Sequence, residues 1–106
     1  MDINQFTIKS QEAIKNAEEI AKQNGNQSIE NVHLLKALIK SDDYLIPNLF
    51  AKLGVNVNIF NQALDKIISS LPKVQGGSLY LSNETNRALQ NALDEAKNMG
   101  DDYVSI

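Results

Sequence analysis

Apolar positions recur with helical spacing in five stretches of the chain, and one of these differs from the rest. Val32-His33-Leu34-Leu35-Lys36-Ala37-Leu38-Ile39 is the densest apolar run. Val32, Leu35 and Leu38/Ile39 stand at i, i+3 and i+6/i+7, while Leu34 and Ala37 widen the stripe beyond what a one-sided surface helix needs. This breadth predicts a buried hub helix over 30–40, coated by the single apolar faces of the other helices, with Leu35 and Leu38 in its core.

A first helix is predicted over 4–24, where good helix formers carry Phe6, Ala13, Ala17, Ile20 and Ala21 on one face. Asn4 or Thr7 supplies the cap and Gly25 the left-handed closing residue. After the hub, Ser41-Asp42-Asp43 offers the next cap. Leu45, Ile46, Leu49, Phe50 and Leu53 then give a short third helix with Pro47 in its first turn, stopped by Gly54. Phe60, Leu64, Ile67, Ile68 and Leu71 predict a fourth helix over 57–70, ended by Pro72. Residues 71–81 contain Gly76-Gly77, lack periodicity and read as a loop. Ser82 caps a fifth helix with Ala88, Leu89, Ala92, Leu93 and Ala96 inside and Gly100 at its end, after which 101–106 runs extended.

The first and fifth helices resemble each other. Sliding the chain by 75 positions aligns 7–25 with 82–100 and gives six identities: Ala13/Ala88, Asn16/Asn91, Ala17/Ala92, Ala21/Ala96, Lys22/Lys97 and Gly25/Gly100. Thr7/Ser82, Ser10/Thr85, Ile14/Leu89 and Ile29/Val104 are conservative pairs. The expected architecture is therefore all-α: one domain over 1–106 made of two pseudo-repeated helical units. Residues 71–81 join them, and the second unit, from about 82, is incomplete.

Composition narrows the function. Hydrophobic residues make up 42% and charged residues 22%, as in a globular domain, and the absence of Cys rules out disulfides and thiol chemistry. The ten basic residues are scattered, include Arg87 as the only arginine, and leave a net charge of -3, a poor basis for nucleic-acid binding. No basic, apolar leader or membrane-length run is evident, so the reading is cytoplasmic, without a membrane partner. His33 is the sole histidine, so neither a His triad nor a multi-His metal site is available; within the hub it reads as a packed residue bonded to a nearby loop. The acidic pairs Glu18-Glu19, Asp42-Asp43, Asp94-Glu95 and Asp101-Asp102 read as solvated faces and caps, because adjacent helical residues diverge by about 100°. Gly76-Gly77 lacks the Lys and Ser/Thr of a phosphate-binding loop. Nothing pairs a nucleophile with a base, so no enzyme and no cofactor is expected in this chain.

Taken in order, Phe6-Thr7, Ala13 through Gly25, Ile29 with His33-Leu34-Leu35 and Ala37-Leu38, Leu45-Ile46-Pro47, Leu53-Gly54-Val55, Leu71-Pro72-Lys73-Val74-Gln75-Gly76-Gly77 and Gly100-Asp101-Asp102-Tyr103-Val104-Ser105 resemble the amino-terminal domain of the bacterial Clp ATPases. The Pro-x-Val-x-Gly loop points within that family to the ClpB disaggregases rather than to ClpA or ClpC. The resemblance implies a recognition domain of an AAA+ chaperone that engages exposed apolar segments of unfolded or aggregated polypeptides. The alternative is an adaptor-binding domain of a ClpC/ClpA-type protease ATPase. It further implies that ATP and Mg belong to separate ATPase modules, and that the full-length protein is a ring hexamer. Carried over by matching motif, Thr7, Leu89 and Asp101 are the expected polypeptide-binding residues, Leu89 giving apolar contact and the other two polar contacts at a groove rim. One departure stands out: Glu30 and Val32 replace the family's small cap and following Glu, which weakens the capping box expected at the hub's start.

Overall fold

The computed structural model describes residues 5–41, 45–74 and 79–105. Helix α1 spans Ile8–Gln23, and Thr7 caps it by accepting the Ser10 N–H at 3.2 Å on its hydroxyl. Its buried face is Ser10, Ala13, Ala17 and Ala21, and the chain leaves it through Gly25 at φ 75, a left-handed turn that glycine adopts without a Cβ penalty. Helix α2, Asn31–Ser41, packs chiefly on α1. Ala17, Ala21, Ile29 and Ala37 form the contact, so three of its four residues are alanines that let the backbones approach closely.

This close approach decides which hub residues are buried. His33, Ala37 and Ile39 are enclosed, whereas Leu35 and Leu38, expected at the centre of the core, are only half-buried. The central place of α2 holds nonetheless, because α1, α3, α4 and α5 all pack against it. The weak capping box is repaired by the histidine: the Glu30 N–H donates to His33 Nδ1 at 2.8 Å, so the imidazole does the work of a carboxylate at the third helical position.

Helix α3, Leu45–Lys52, carries Pro47 in its first turn and buries none of its residues. Helix α4, Val57–Ser70, starts at Asn56, whose side chain accepts the Asn58 and Ile59 N–H groups, and it buries Leu64 and Ile68. Phe50 and Phe60 meet edge to face at 5.1 Å and tie α3 to α4. Lys36 ties α2 to α4 through Asp65 at 2.9 Å and Asn61 at 2.7 Å. Helix α5, Asn83–Asn98, buries Thr85, Leu89 and Leu93. Asn4, Asp42, Asp43, Gly76 and Gly77, which figure in the expected caps and loop, lie outside the described residues.

The expected loop over 71–81 is partly ordered pairing. Strand β1, Ser28–Ile29, pairs in parallel with β2, Tyr80–Leu81, in the register Ser28↔Tyr80 and Ile29↔Leu81. A second parallel bridge joins Phe6 to Val104. Two-residue strands are too short to show an alternating pattern, so periodicity misses them.

The 75-residue repeat is written in the backbone. Thr7 and Ser82 cap their helices at φ/ψ -61/160 and -62/160, and Asn24 and Met99 end them at -87/0 and -85/-2. Asn26 N–H donates to Ala21 O at 2.8 Å, and Asp101 N–H to Ala96 O at 2.8 Å. The bridges exchange partners under the same shift: Phe6↔Val104 becomes Leu81↔Ile29, and the bond from Thr7 N to Val104 O (2.7 Å) becomes that from Ser82 N to Ile29 O (3.0 Å). This exchange is what a pseudo-two-fold relation between the two halves produces.

Candidate functional site

Between the facing sides of α1 and α5 lies a cleft of about 440 Å³. Its floor is Phe6, which packs with Leu89 in a buried cluster that Leu34 and Val104 flank. Ala13, Ala88 and Ala92 give it depth, because small side chains on both helices leave the backbones unfilled between them. One wall comes from the broad side of the hub, Leu34 and Leu38, and from α3, which adds Leu45, Ile46 and Leu49. Leu45 and Leu49 remain 55% and 51% exposed, a large apolar offering to solvent from a helix with no interior of its own.

Among the described residues that line the cleft none carries a titratable side chain, and Ser10 and Ser105 are the polar ones. A surface of this kind is suited to burying apolar area. On the far side of α2, His33 is fully buried. Since Nδ1 accepts from Glu30, Nε2 carries the proton and donates to Asn26 Oδ1 at 3.0 Å. Desolvation lowers its pKa below the ordinary value, against a smaller upward pull from the Glu30 charge. Asn26 also donates to Pro72 O at 2.9 Å and accepts from Asn24, which donates to Ile68 O at 2.7 Å. The histidine is thus a structural knot between α1, α2 and the end of α4. Among the described residues there is no cluster of His, Cys, Asp or Glu able to hold a metal ion, and no helix long and apolar enough to cross a membrane.

Residues 5–106 match the family described as the Clp repeat (R) N-terminal domain. The chain belongs to that family. This Clp N-terminal domain is 50% identical over 106 residues to the chaperone protein ClpB of Porphyromonas gingivalis and 44% identical to that of Bacteroides thetaiotaomicron. All of the chain aligns in both cases, and it spans 12% of the length of each chaperone. Its fold is shared with the crystallised Hsp104 N-terminal domain of Candida albicans at TM-score 0.86 and 23% identity, over 95% of this chain and 67% of that one. The family is defined by the N-terminal domain, as distinct from the ATPase modules.

Of the residues expected to bind polypeptide, Leu89 of this Clp N-terminal domain lines the cleft but is itself 6% exposed. Thr7 and Asp101 are not among the lining residues. The Thr7 hydroxyl is engaged with Ser10 in the α1 cap, and Asp101 is exposed in the turn after α5. Thr7 adjoins the Phe6↔Val104 bridge that borders the cleft, its N–H donating to Val104 O at 2.7 Å, whereas the Asp101 N–H is bonded back to Ala96 O at 2.8 Å. The solvent-facing apolar surface comes instead from Leu34, Leu38, Leu45, Ile46 and Leu49. Its signal in the sequence was the excess width of the hub stripe and a third helix apolar enough for a core it does not have.

Proposed function

We propose that this domain is the substrate-recognition module of a ClpB-like AAA+ disaggregase, holding exposed apolar segments of unfolded or aggregated polypeptides in the cleft between α1, α3 and α5. The observation that carries this reading is a 440 Å³ cleft in whose lining no described residue is charged, on a chain whose relatives at 50% and 44% identity are ClpB chaperones. Leu89 provides the floor, Leu34, Leu38 and Leu49 the accessible contacts, and Thr7 and Asp101 the polar rim. ATP and Mg act in the ATPase modules of the assembled ring and have no role in this domain.

Few contacts and an ordering cost for a flexible client give weak binding, roughly high micromolar to millimolar. The test is titration of the 106-residue chain with unfolded casein, followed by backbone amide shifts. Shifts centred on Leu34, Leu38, Leu49 and Leu89, insensitive to ATP, are expected. Leu89→Ser is a poor probe, because that side chain belongs to the core. Leu49→Ser removes an exposed apolar contact at little cost to the fold and weakens binding about fivefold. Shifts that avoid the cleft, or binding unchanged in both Leu49→Ser and Leu38→Ser, refute the reading.

A further inference from the structure

The turn that closes α1 holds the only Asn-Gly pair in the chain, Asn24-Gly25. An asparagine followed by glycine is the arrangement most open to imide formation, because no Cβ on the second residue shields its backbone nitrogen from the side-chain carbonyl. In the folded domain this reaction is blocked in two ways. Ring closure needs the Gly25 nitrogen to come round beside Cβ of Asn24, but at an Asn24 ψ of 0 that nitrogen eclipses the residue's own backbone nitrogen, and its N–H is bonded to Lys22 O at 3.1 Å. The leaving group is held as well. Both hydrogens of Asn24 Nδ2 are engaged, one by Ile68 O at 2.7 Å and the other by Asn26 Oδ1 at 3.0 Å. The turn itself does not require asparagine: under the 75-residue shift Met99-Gly100 makes the same left-handed turn, with Gly100 at φ 79 and its N–H on Lys97 O at 3.0 Å.

We propose that Asn24 is a conditional deamidation site, shielded while the knot of Asn24, Asn26 and His33 is closed and modified when the end of α1 comes away from α4. The Gly25 amide nitrogen, its proton taken by solvent base, attacks Asn24 Cγ. The Cγ–N bond forms, the Cγ–Nδ2 bond breaks, and Nδ2 leaves as ammonia. Water then opens the imide at one carbonyl to give aspartate at position 24, or at the other to give isoaspartate, in which the main chain runs through Cβ. Neither product fits the closed knot. An ionised carboxylate has no hydrogen to donate, so it meets two acceptors, Ile68 O and Asn26 Oδ1, at the negative end of α1. Asn26 is the acceptor for His33 Nε2, and His33 Nδ1 caps α2, so a change at position 24 reaches the start of α2 through two side chains. The step is one-way, and a domain that has once been held open keeps the mark. The site lies apart from the cleft, none of whose described lining residues belongs to the knot.

The 106-residue chain is incubated at mildly alkaline pH, folded and in urea, and the unit mass gain is placed along the sequence by peptide mass spectrometry, with isoaspartyl methylation reading the second product. In urea the modification is expected first at Asn24. Folding is expected to slow it at least about tenfold, since only the locally opened fraction reacts. Asn26→Ala removes one partner of Nδ2 and frees His33, so it should raise the rate in the folded chain several-fold and leave that in urea unchanged. Gly25→Ala should lower the rate in urea, where the new Cβ obstructs the attack. Asn24→Asp should melt below Asn24→Ala, with greater loss of amide protection from Glu30 to Leu34. Equal rates in the folded and urea-unfolded chain overturn the shielding, and modification of other asparagines ahead of Asn24 overturns the site. Asn24→Asp melting with or above Asn24→Ala overturns the one-way step. The rate comparison uses the parent chain alone and decides the first two points even if no variant folds.

Discussion

Asn26 is the side chain on which the first half of the domain depends most, and removing it gives a sharp test of the packing argument. It is 5% exposed, accepts the His33 Nε2–H at 3.0 Å and donates to Pro72 O at 2.9 Å. Asn26→Ala leaves the His33 N–H buried with no acceptor, since the imidazole is fully enclosed. An orphaned buried donor costs about 1–3 kcal/mol. Loss of the Pro72 bond adds about 0.5–1.5 kcal/mol, at the lower end because Pro72 is exposed and water replaces the donor. The total, about 1.5–3.5 kcal/mol, corresponds to a drop in Tm of roughly 10–20 °C for a domain of this size. Thermal melting by circular dichroism reads the shift, and hydrogen exchange locates it: the amides from Glu30 to Leu34 should lose protection first, because the ring that caps α2 is the one set free. Asn24→Ala, at a half-buried position, should cost about half as much. A Tm lowered by a degree or two in Asn26→Ala, with protection of α2 intact, would show that water reaches the ring and that the knot is not closed.

Acidification should act on the same place. Because the folded state depresses the His33 pKa, its neutral ring stabilises the fold fully above the unfolded value of about 6.5, and this contribution is lost as pH falls from there through the lowered folded value; denaturant melts between pH 8 and 5 should show the decline, and His33→Gln should flatten it. Ala37→Leu should destabilise by about 1–3 kcal/mol in urea melts, because the fully buried α1 side chains it meets, Ala17 and Ala21, already pack closely against it. Gly25→Ala should cost roughly 1–2 kcal/mol through its φ of 75 alone, since the new Cβ would sit at an ordinary 3.6 Å from the Lys73 side chain. Lys36→Met should cost no more than about 1 kcal/mol, because Asp65 is largely exposed and screened, and a salt titration should remove most of the difference.

The helices were legible in the sequence because each is fixed by local chemistry. Thr7, Asn56 and Ser82 cap where small polar residues should, Gly25, Gly54 and Gly100 turn left-handed where helices end, and the stripes of α1, α4 and α5 carry most of the buried residues, Ser10 and Thr85 being buried outside them and Ala88 exposed within its own. The repeat was legible for the same reason. What local pattern does not contain is distance between elements. Leu35 and Leu38 look more central than Ala37 by hydrophobicity, yet the alanines of α1 draw α2 so near that only a small residue fits at the axis. The two-residue strands depend on partners more than fifty residues away, and no window along the chain includes both. The cleft lining divided likewise: Leu89 stood out by its place in a stripe, whereas the exposure of Leu45 and Leu49 depends on what packs over α3, and the described residues leave both more than half exposed.

The paired bridges also order the assembly of the molecule in time. Ile29↔Leu81 closes a loop of 52 residues and Phe6↔Val104 one of 98, yet the two contacts have the same local geometry. The longer closure costs about 0.6 kcal/mol more as an independent event. Once Ile29 and Leu81 have met, however, only 23 positions separate Ile29 from Phe6 and another 23 separate Leu81 from Val104, and those intervals are already drawn in by α1 and α5. The inner bridge is therefore the slow search, and the outer one forms as its sequel. Unfolding runs the other way, so the Phe6↔Val104 bridge opens before the Ile29↔Leu81 one and exposes the cleft floor while the α1–α2 pair is still intact.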